Sequence, residues 1–121
     1  FKGYISQEDL PKYYNEADVY ISPSHVDGSS VSLMEAMGCG LPCLVSDIPS
    51  NKEWVLEEMN GWLFHDGDAN MLAEKILHAM EKRDTLNEIG ATSRLVAERR
   101  ADWSKNFEKL LEAYERTAEL K

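Results

Sequence analysis

The most constraining feature of this sequence is an apolar run, a polar loop and a helix-like run in immediate succession. Asp18-Val19-Tyr20-Ile21-Ser22 is β-branched and aromatic and is closed by Pro23, which predicts a strand. Ser24-His25-Val26-Asp27-Gly28-Ser29-Ser30 is polar and contains a glycine. Val31 to Gly38 reads as a helix, with Leu33, Met34 and Met37 apolar and Gly38 or Gly40 as its stop. Pro42-Cys43-Leu44-Val45-Ser46 is a second strand, with proline at the one strand position that tolerates it best. Short strands separated by helices pair in parallel through right-handed crossovers.

The flanking sequence extends the pattern. Phe1 to Ile5 reads as the tail of a strand. Gln7 to Ala17 reads as a helix with Ser6 as N-cap, Asp9 answering it as in a capping box, and the stripe Leu10, Tyr13, Tyr14, Ala17. Ser50 is the expected cap of a short helix through Leu56, Asn60-Gly61 a turn, and Trp62-Leu63-Phe64 a third strand. Asp66-Gly67-Asp68 forms a turn and cap before a helix over Ala69 to Lys82, whose Leu72, Ala73, Ile76, Leu77 and Met80 share a face. Two further helices cover Thr85 to Arg99 and Trp103 to Leu120. The last carries the stripe Trp103, Phe107, Leu110, Leu111, Tyr114, a core or partner surface by its helical spacing. The expected fold is α/β: a partial doubly wound parallel sheet of about three or four short strands with flanking helices. A full doubly wound sheet has about five or six strands, so residues 1–121 read as a single unit, the second half of such a domain.

Composition narrows the function classes. With 13 Lys+Arg against 22 Asp+Glu the net charge is −9, which disfavours nucleic acid and anionic membrane as general partners. No apolar run approaches the ~18–20 residues of a membrane span. No cationic leader precedes an apolar stretch, and a chain that begins on Phe1 reads as a piece of a longer protein. Cys39 and Cys43 stand four apart without further ligands, the pattern of reduced thiols in a cytosolic protein rather than of zinc. His25, His65 and His78 show no metal-ligand spacing to them.

A polar loop between a strand and a helix is an anion-binding arrangement. Ligands of open α/β sheets sit beyond the carboxyl ends of the strands. The helix after Ser30 offers unpaired N–H groups and a partial positive charge there, and Gly28 allows close approach to the backbone. Asp27 stands at the loop mouth and Glu35 eight residues later. Carboxylates at both ends suit hydroxyl-rich ligands, and the N–H groups between them suit phosphate. Together they fit a nucleotide-sugar better than a bare nucleotide. The competing reading makes Asp27 a turn residue and Glu35 a solvated helix residue.

These residues also carry a resemblance. Asp18-Val19-Tyr20-Ile21-Ser22-Pro23-Ser24, then Asp27-Gly28-Ser29-Ser30, then Leu33-Met34-Glu35-Ala36-Met37-Gly38-Cys39-Gly40-Leu41-Pro42 resembles the donor-site segment of family 4 glycosyltransferases, which have the GT-B fold. Ser46-Asp47-Ile48-Pro49, Glu53, Asn60-Gly61 and the helix over Ala69 to Met80 continue the likeness, and Trp103 with Tyr114 resembles the family's terminal helix. The resemblance implies a nucleotide-sugar-binding half-domain from the C-terminal, donor-binding domain of a retaining, metal-independent hexosyltransferase. Its substrate would be a nucleoside-diphosphate sugar and no cofactor would be needed. The family's signature of two glutamates separated by seven residues appears here with Asp27 in place of the first. Glu35 would hold ribose hydroxyls, Asp27 would act at the donor sugar as the catalytic-site carboxylate, and the N–H groups of Gly28, Ser29, Ser30 and Val31 would meet sugar and diphosphate. Aspartate is one methylene shorter, which alters its reach. The acceptor domain and the Arg and Lys that pair with the diphosphate are absent, and no Arg or Lys lies between Lys12 and Lys52. The isolated chain is therefore expected to be inactive. The implied compartment is the cytoplasm, with peripheral membrane attachment of the parent left open.

His25 and Glu53 are lesser candidates for the donor cleft, set against an ordinary loop histidine and an ordinary helix-end carboxylate. Ser29 and Ser30 lack a histidine–acid pair, which argues against serine hydrolysis. A phospho-accepting receiver domain needs an acidic pair after its first strand, which Phe1 to Ile5 does not supply. A non-catalytic protein-interaction module derived from the transferase fold is the alternative function. Unpaired sheet edge and terminal helix further predict self-association.

Overall fold

A computed structural model describes residues 2–120. The elements are α1 (Leu10–Glu16), β1 (Tyr20–Ser22), α2 (Val31–Gly38), β2 (Cys43–Ser46), α3 (Pro49–Lys52), β3 (Gly61–Phe64), α4 (Ala69–Glu81), a 3-10 turn (Arg83–Thr85), α5 (Leu86–Arg100) and α6 (Trp103–Glu119). The three strands form one sheet in the order β1-β2-β3. Both pairs are parallel, with Ile21 beside Leu44 and Leu44 beside Trp62. The expected α/β class, parallel pairing and small sheet are all present.

Central strand β2 is buried along its whole length, as a parallel strand covered on both faces must be. Its alternation divides the core. Cys43 and Val45 pack with Leu33, Ala36 and Met37 of α2 and Ala97 of α5. Leu44 packs on the opposite face with Trp62, Phe64, Ala79 of α4 and Leu86 and Ile89 of α5. Helix α5 thus touches both layers. It reaches α2 through glycine: a Cβ on Gly90 would lie 2.0 Å from the Gly40 carbonyl oxygen, and Gly40 itself has φ +78°.

Several local expectations shift. Helix α1 begins at Leu10 rather than Gln7. Ser6 and Asp9 do exchange hydrogen bonds, 2.7 Å between side chains and 3.3 Å from the Asp9 N–H, but they close a turn ahead of the helix. The expected strand tail at the N-terminus is not formed by residues 2–5, and Phe1 lies outside the described residues. Helix α3 is capped at Ile48 without a side-chain bond and ends at Lys52, so Ser50 lies inside it rather than capping it. Pro49 fixes that start, since proline suits the first helical turn. Gly61 opens β3 instead of completing a turn. On α4, Leu77 and Met80 are 61% and 66% exposed. The apolar stripe is broader than the strip of sheet available to cover it, and Met80 borders an open cleft beside Val19 and Ile21 at the free edge of β1.

Helix α6 buries none of its residues. Trp103, Phe107, Leu110, Leu111 and Tyr114 are 42–72% exposed, so this stripe is surface and not core. Cys43 is buried, and burial pushes its thiol up to about 12, whereas Cys39 is half-buried; both are free.

Candidate donor site

The carboxyl ends of all three strands lie at one end of the sheet, because both strand pairs are parallel. From β1 the chain turns through the polar loop 23–30 into α2. Ser30 ends the loop as the N-cap of α2, its hydroxyl accepting from the Leu33 N–H at 3.3 Å. The Met34 N–H goes to the Ser30 carbonyl at 3.1 Å. Among the described residues, the N–H groups of Gly28, Ser29, Val31 and Ser32 donate to no protein acceptor. They form a set of open donors at a helix N-terminus, the electrostatics an anion requires.

A buried polar base holds the loop from below. Ser22 and Ser24 hydroxyls lie 3.0 Å apart. Ser46, at the end of β2, donates its hydroxyl to the Ser24 carbonyl. The amide of Asn51 reaches back from α3 to the Ser46 carbonyl at 3.0 Å. On the open side, His25 Nδ1 and Asp66 Oδ1 are 2.6 Å apart, and His65 Nδ1 and Asp47 Oδ2 are 2.9 Å apart. The Asp66 N–H donates to Asp47 Oδ1 at 3.0 Å. The hydrogen bond to His65, seconded by the one from Asp66, holds the Asp47 carboxyl below its usual range. The loop after β1 is thereby joined to the ends of β2 and β3.

The sequence-selected residues fall in three places. Asp27, half-buried, and Gly28 and Ser29, exposed, lie in the loop; Ser30 and Val31 make the α2 junction. Glu35 lies one turn into α2, half-buried, where the Tyr14 hydroxyl of α1 donates to its Oε2 at 3.2 Å. Burial first, then the Glu35 charge, pushes the Tyr14 phenol up to about 12. Val31, Met34 and Glu35 border a groove against α5, where Arg94 is paired with Glu98 at 2.9 Å. His25 reaches Asp66. Glu53 is exposed at the end of α3, where its carbonyl accepts from Arg100, whose guanidinium stacks 4.5 Å over the Trp54 ring. That arrangement ties Glu53 to the α5 terminus rather than to the loop.

Sequence reasoning did not select Tyr14, Ser46, Asp47, Asn51 or Asp66 for the site. Tyr14 was legible only as part of the α1 stripe. Ser46, Asp47 and Asp66 pair across 18 to 41 positions, a separation that no local spacing encodes, and Asn51 joins the site through Ser46, five positions away.

A model of the glycosyl transferases group 1 family matches residues 1–96. The chain is 30% identical over 122 residues to the amylovoran biosynthesis glycosyltransferase AmsK of Erwinia amylovora, covering 96% of this chain and 30% of that protein. It is 28% identical over 114 residues to O-antigen chain mannosyltransferase B of Escherichia coli, covering 94% of this chain and 29% of that one. Sucrose-phosphate synthase from Thermosynechococcus elongatus superposes with a TM-score of 0.94 at 26% identity, over 100% of this chain and 30% of that chain. Anabaena Alr3699/HepE in complex with UDP superposes with a TM-score of 0.85 at 22% identity, over 91% of this chain and 30% of that chain, a likeness of fold alone. These neighbours have the GT-B architecture expected from the sequence. The chain spans about 30% of the length of the curated relatives it matches. No helix among the described residues is long and apolar enough to cross a membrane.

Proposed function

Because the chain belongs to the glycosyl transferases group 1 family, we propose that it is the donor-binding half-domain of a retaining, family 4-like glycosyltransferase that moves a hexosyl group from a nucleoside-diphosphate sugar to an acceptor. The observation that carries the reading is the position of Asp27 and Glu35 on either side of the open N–H groups at the start of α2. In this reading Glu35 takes the ribose hydroxyls, the amides of Gly28 to Val31 take sugar and diphosphate, and Asp27 takes hydroxyls of the donor sugar beside the reacting carbon. Developing charge on a departing diphosphate is stabilised by preorganised donors, and the helix start supplies part of that. Support also comes from the HepE complexes with UDP and with UDP-glucose, which share this fold.

The test is kinetic, in the complete transferase that carries this chain. Glu35→Gln should raise the donor KM by about tenfold, the effect of weakening one charge-assisted hydroxyl pair. Unchanged donor kinetics would remove Glu35 from the site. A second reading, a protein-interaction module, rests on the exposed apolar stripe of α6 and predicts no localised response to nucleotide.

A further inference from the structure

Helix α1 is short and buries no residue, and its Tyr14 packs against the core cluster that includes α2. Tyr14 has its ring centroid 6.5 Å from that of Tyr20. Its hydroxyl then reaches Glu35 Oε2 at 3.2 Å. A carboxylate accepts about four hydrogen bonds, so this contact uses one site and leaves Oε1 and a lone pair of Oε2 open. A glutamate on a helix surface otherwise samples several rotamers at little cost. We propose that Tyr14 is a positioning residue for the donor site, orienting the Glu35 carboxylate so that its remaining oxygen sites meet a vicinal pair of ribose hydroxyls.

The inference rests on the reading of Glu35 given above. The phenol suits the task, because burial and the Glu35 charge keep it protonated to about 12. It remains a donor throughout the range in which a transferase works. The contact also links α1 to α2 directly.

A purely structural Tyr14 would only dock α1. The two roles separate in a cycle that varies both protein and ligand. UDP and 2′,3′-dideoxy-UDP are titrated into the chain while amide shifts are followed, and the ratio of initial shift slopes gives the preference for the ribose hydroxyls. The original chain should prefer UDP by about tenfold, and Tyr14→Phe should reduce this to about twofold through UDP alone, the scale of one hydrogen bond to a charged group. Equal weakening of both ligands, or no change in either, would overturn the proposal. Glu35→Ala should abolish the preference. If it does not, or if the original chain has no preference, the ribose role of Glu35 fails and Tyr14's role falls with it. Loss of preference in Glu35→Ala but not in Tyr14→Phe overturns the Tyr14 inference alone. Should Tyr14→Phe melt well below the original chain, 4-fluorophenylalanine at position 14 keeps the ring's shape without a donor and gives the same readout.

Discussion

The side-chain amide of Asn51 donates to both the carbonyl and the hydroxyl of Ser46, at 3.0 Å and 3.3 Å. Both residues are almost wholly buried, and Ser46 passes the constraint to the Ser24 carbonyl at the start of the loop. Removing the amide leaves a buried carbonyl unsatisfied, which costs about 1–3 kcal/mol. Asn51→Ala should lose that much stability in urea denaturation, with amide exchange in residues 24–30 accelerating first. An unchanged midpoint would show that the network does not hold the loop.

Gly90 lies inside α5, where alanine normally gains about 1 kcal/mol. Here a Cβ would sit 2.0 Å from the Gly40 carbonyl oxygen and 3.2 Å from the Pro42 ring. Overpacking of this kind costs about 1–3 kcal/mol or more, and the obstacle is backbone. Gly90→Ala should therefore be destabilising in thermal melting, against the helix-propensity trend. A raised melting temperature would contradict the close α2–α5 contact.

Glu58 links the turn before β3 to α4, with Lys82 Nζ at 2.6 Å and His78 Nε2 at 2.7 Å. The Lys82 bond leads in holding its carboxyl down to about 2, from an ordinary 4.5. A depressed folded value gives stability that is full above pH 4.5 and is lost as pH falls toward 2. The carboxylate is 42% exposed, so solvent screening keeps the contribution small. Glu58→Gln should lower stability at neutral pH and flatten the acid limb across that window. Asp47 and Asp102, whose carboxyls also lie low, retain the rest of the slope. An acid limb of unchanged steepness would mean that the pair is not formed.

Much of the fold was legible because its signals are local. The capping of α4 by Asp68, the three apolar strands and the helical stripes all follow from neighbouring residues. Position in the fold was less legible. The α4 and α6 stripes have the period of buried faces, yet Leu77, Met80 and the α6 side chains are exposed, since period records amphipathicity and not what covers it. Around the candidate site, the strand–loop–helix arrangement was readable from spacing. The Tyr14–Glu35 and Ser46–Ser24 contacts needed the fold to bring distant segments together.

The exposed stripe from Trp103 to Tyr114 also carries a prediction for the isolated chain. Apolar patches above a few hundred Å² are uncommon on monomers, and the free edge of β1 adds unpaired backbone groups. The chain should associate with itself near ~100 µM, an affinity of about −5.5 kcal/mol, and Leu111→Glu should weaken it. Sedimentation equilibrium showing only a 13.8 kDa species at that concentration would contradict this.

In the proposed function the start of α2 binds the diphosphate of a nucleotide-sugar. The most direct test of this binding is a UDP titration of the chain followed by amide shifts. The expected affinity is on the order of millimolar, about −4 kcal/mol, because a net charge of −9 opposes an anion. The largest shifts should fall on Gly28, Ser29, Val31 and Ser32, with inorganic phosphate moving the same amides less. Shifts scattered over the surface, or none up to tens of millimolar by the same affinity arithmetic, would contradict the account.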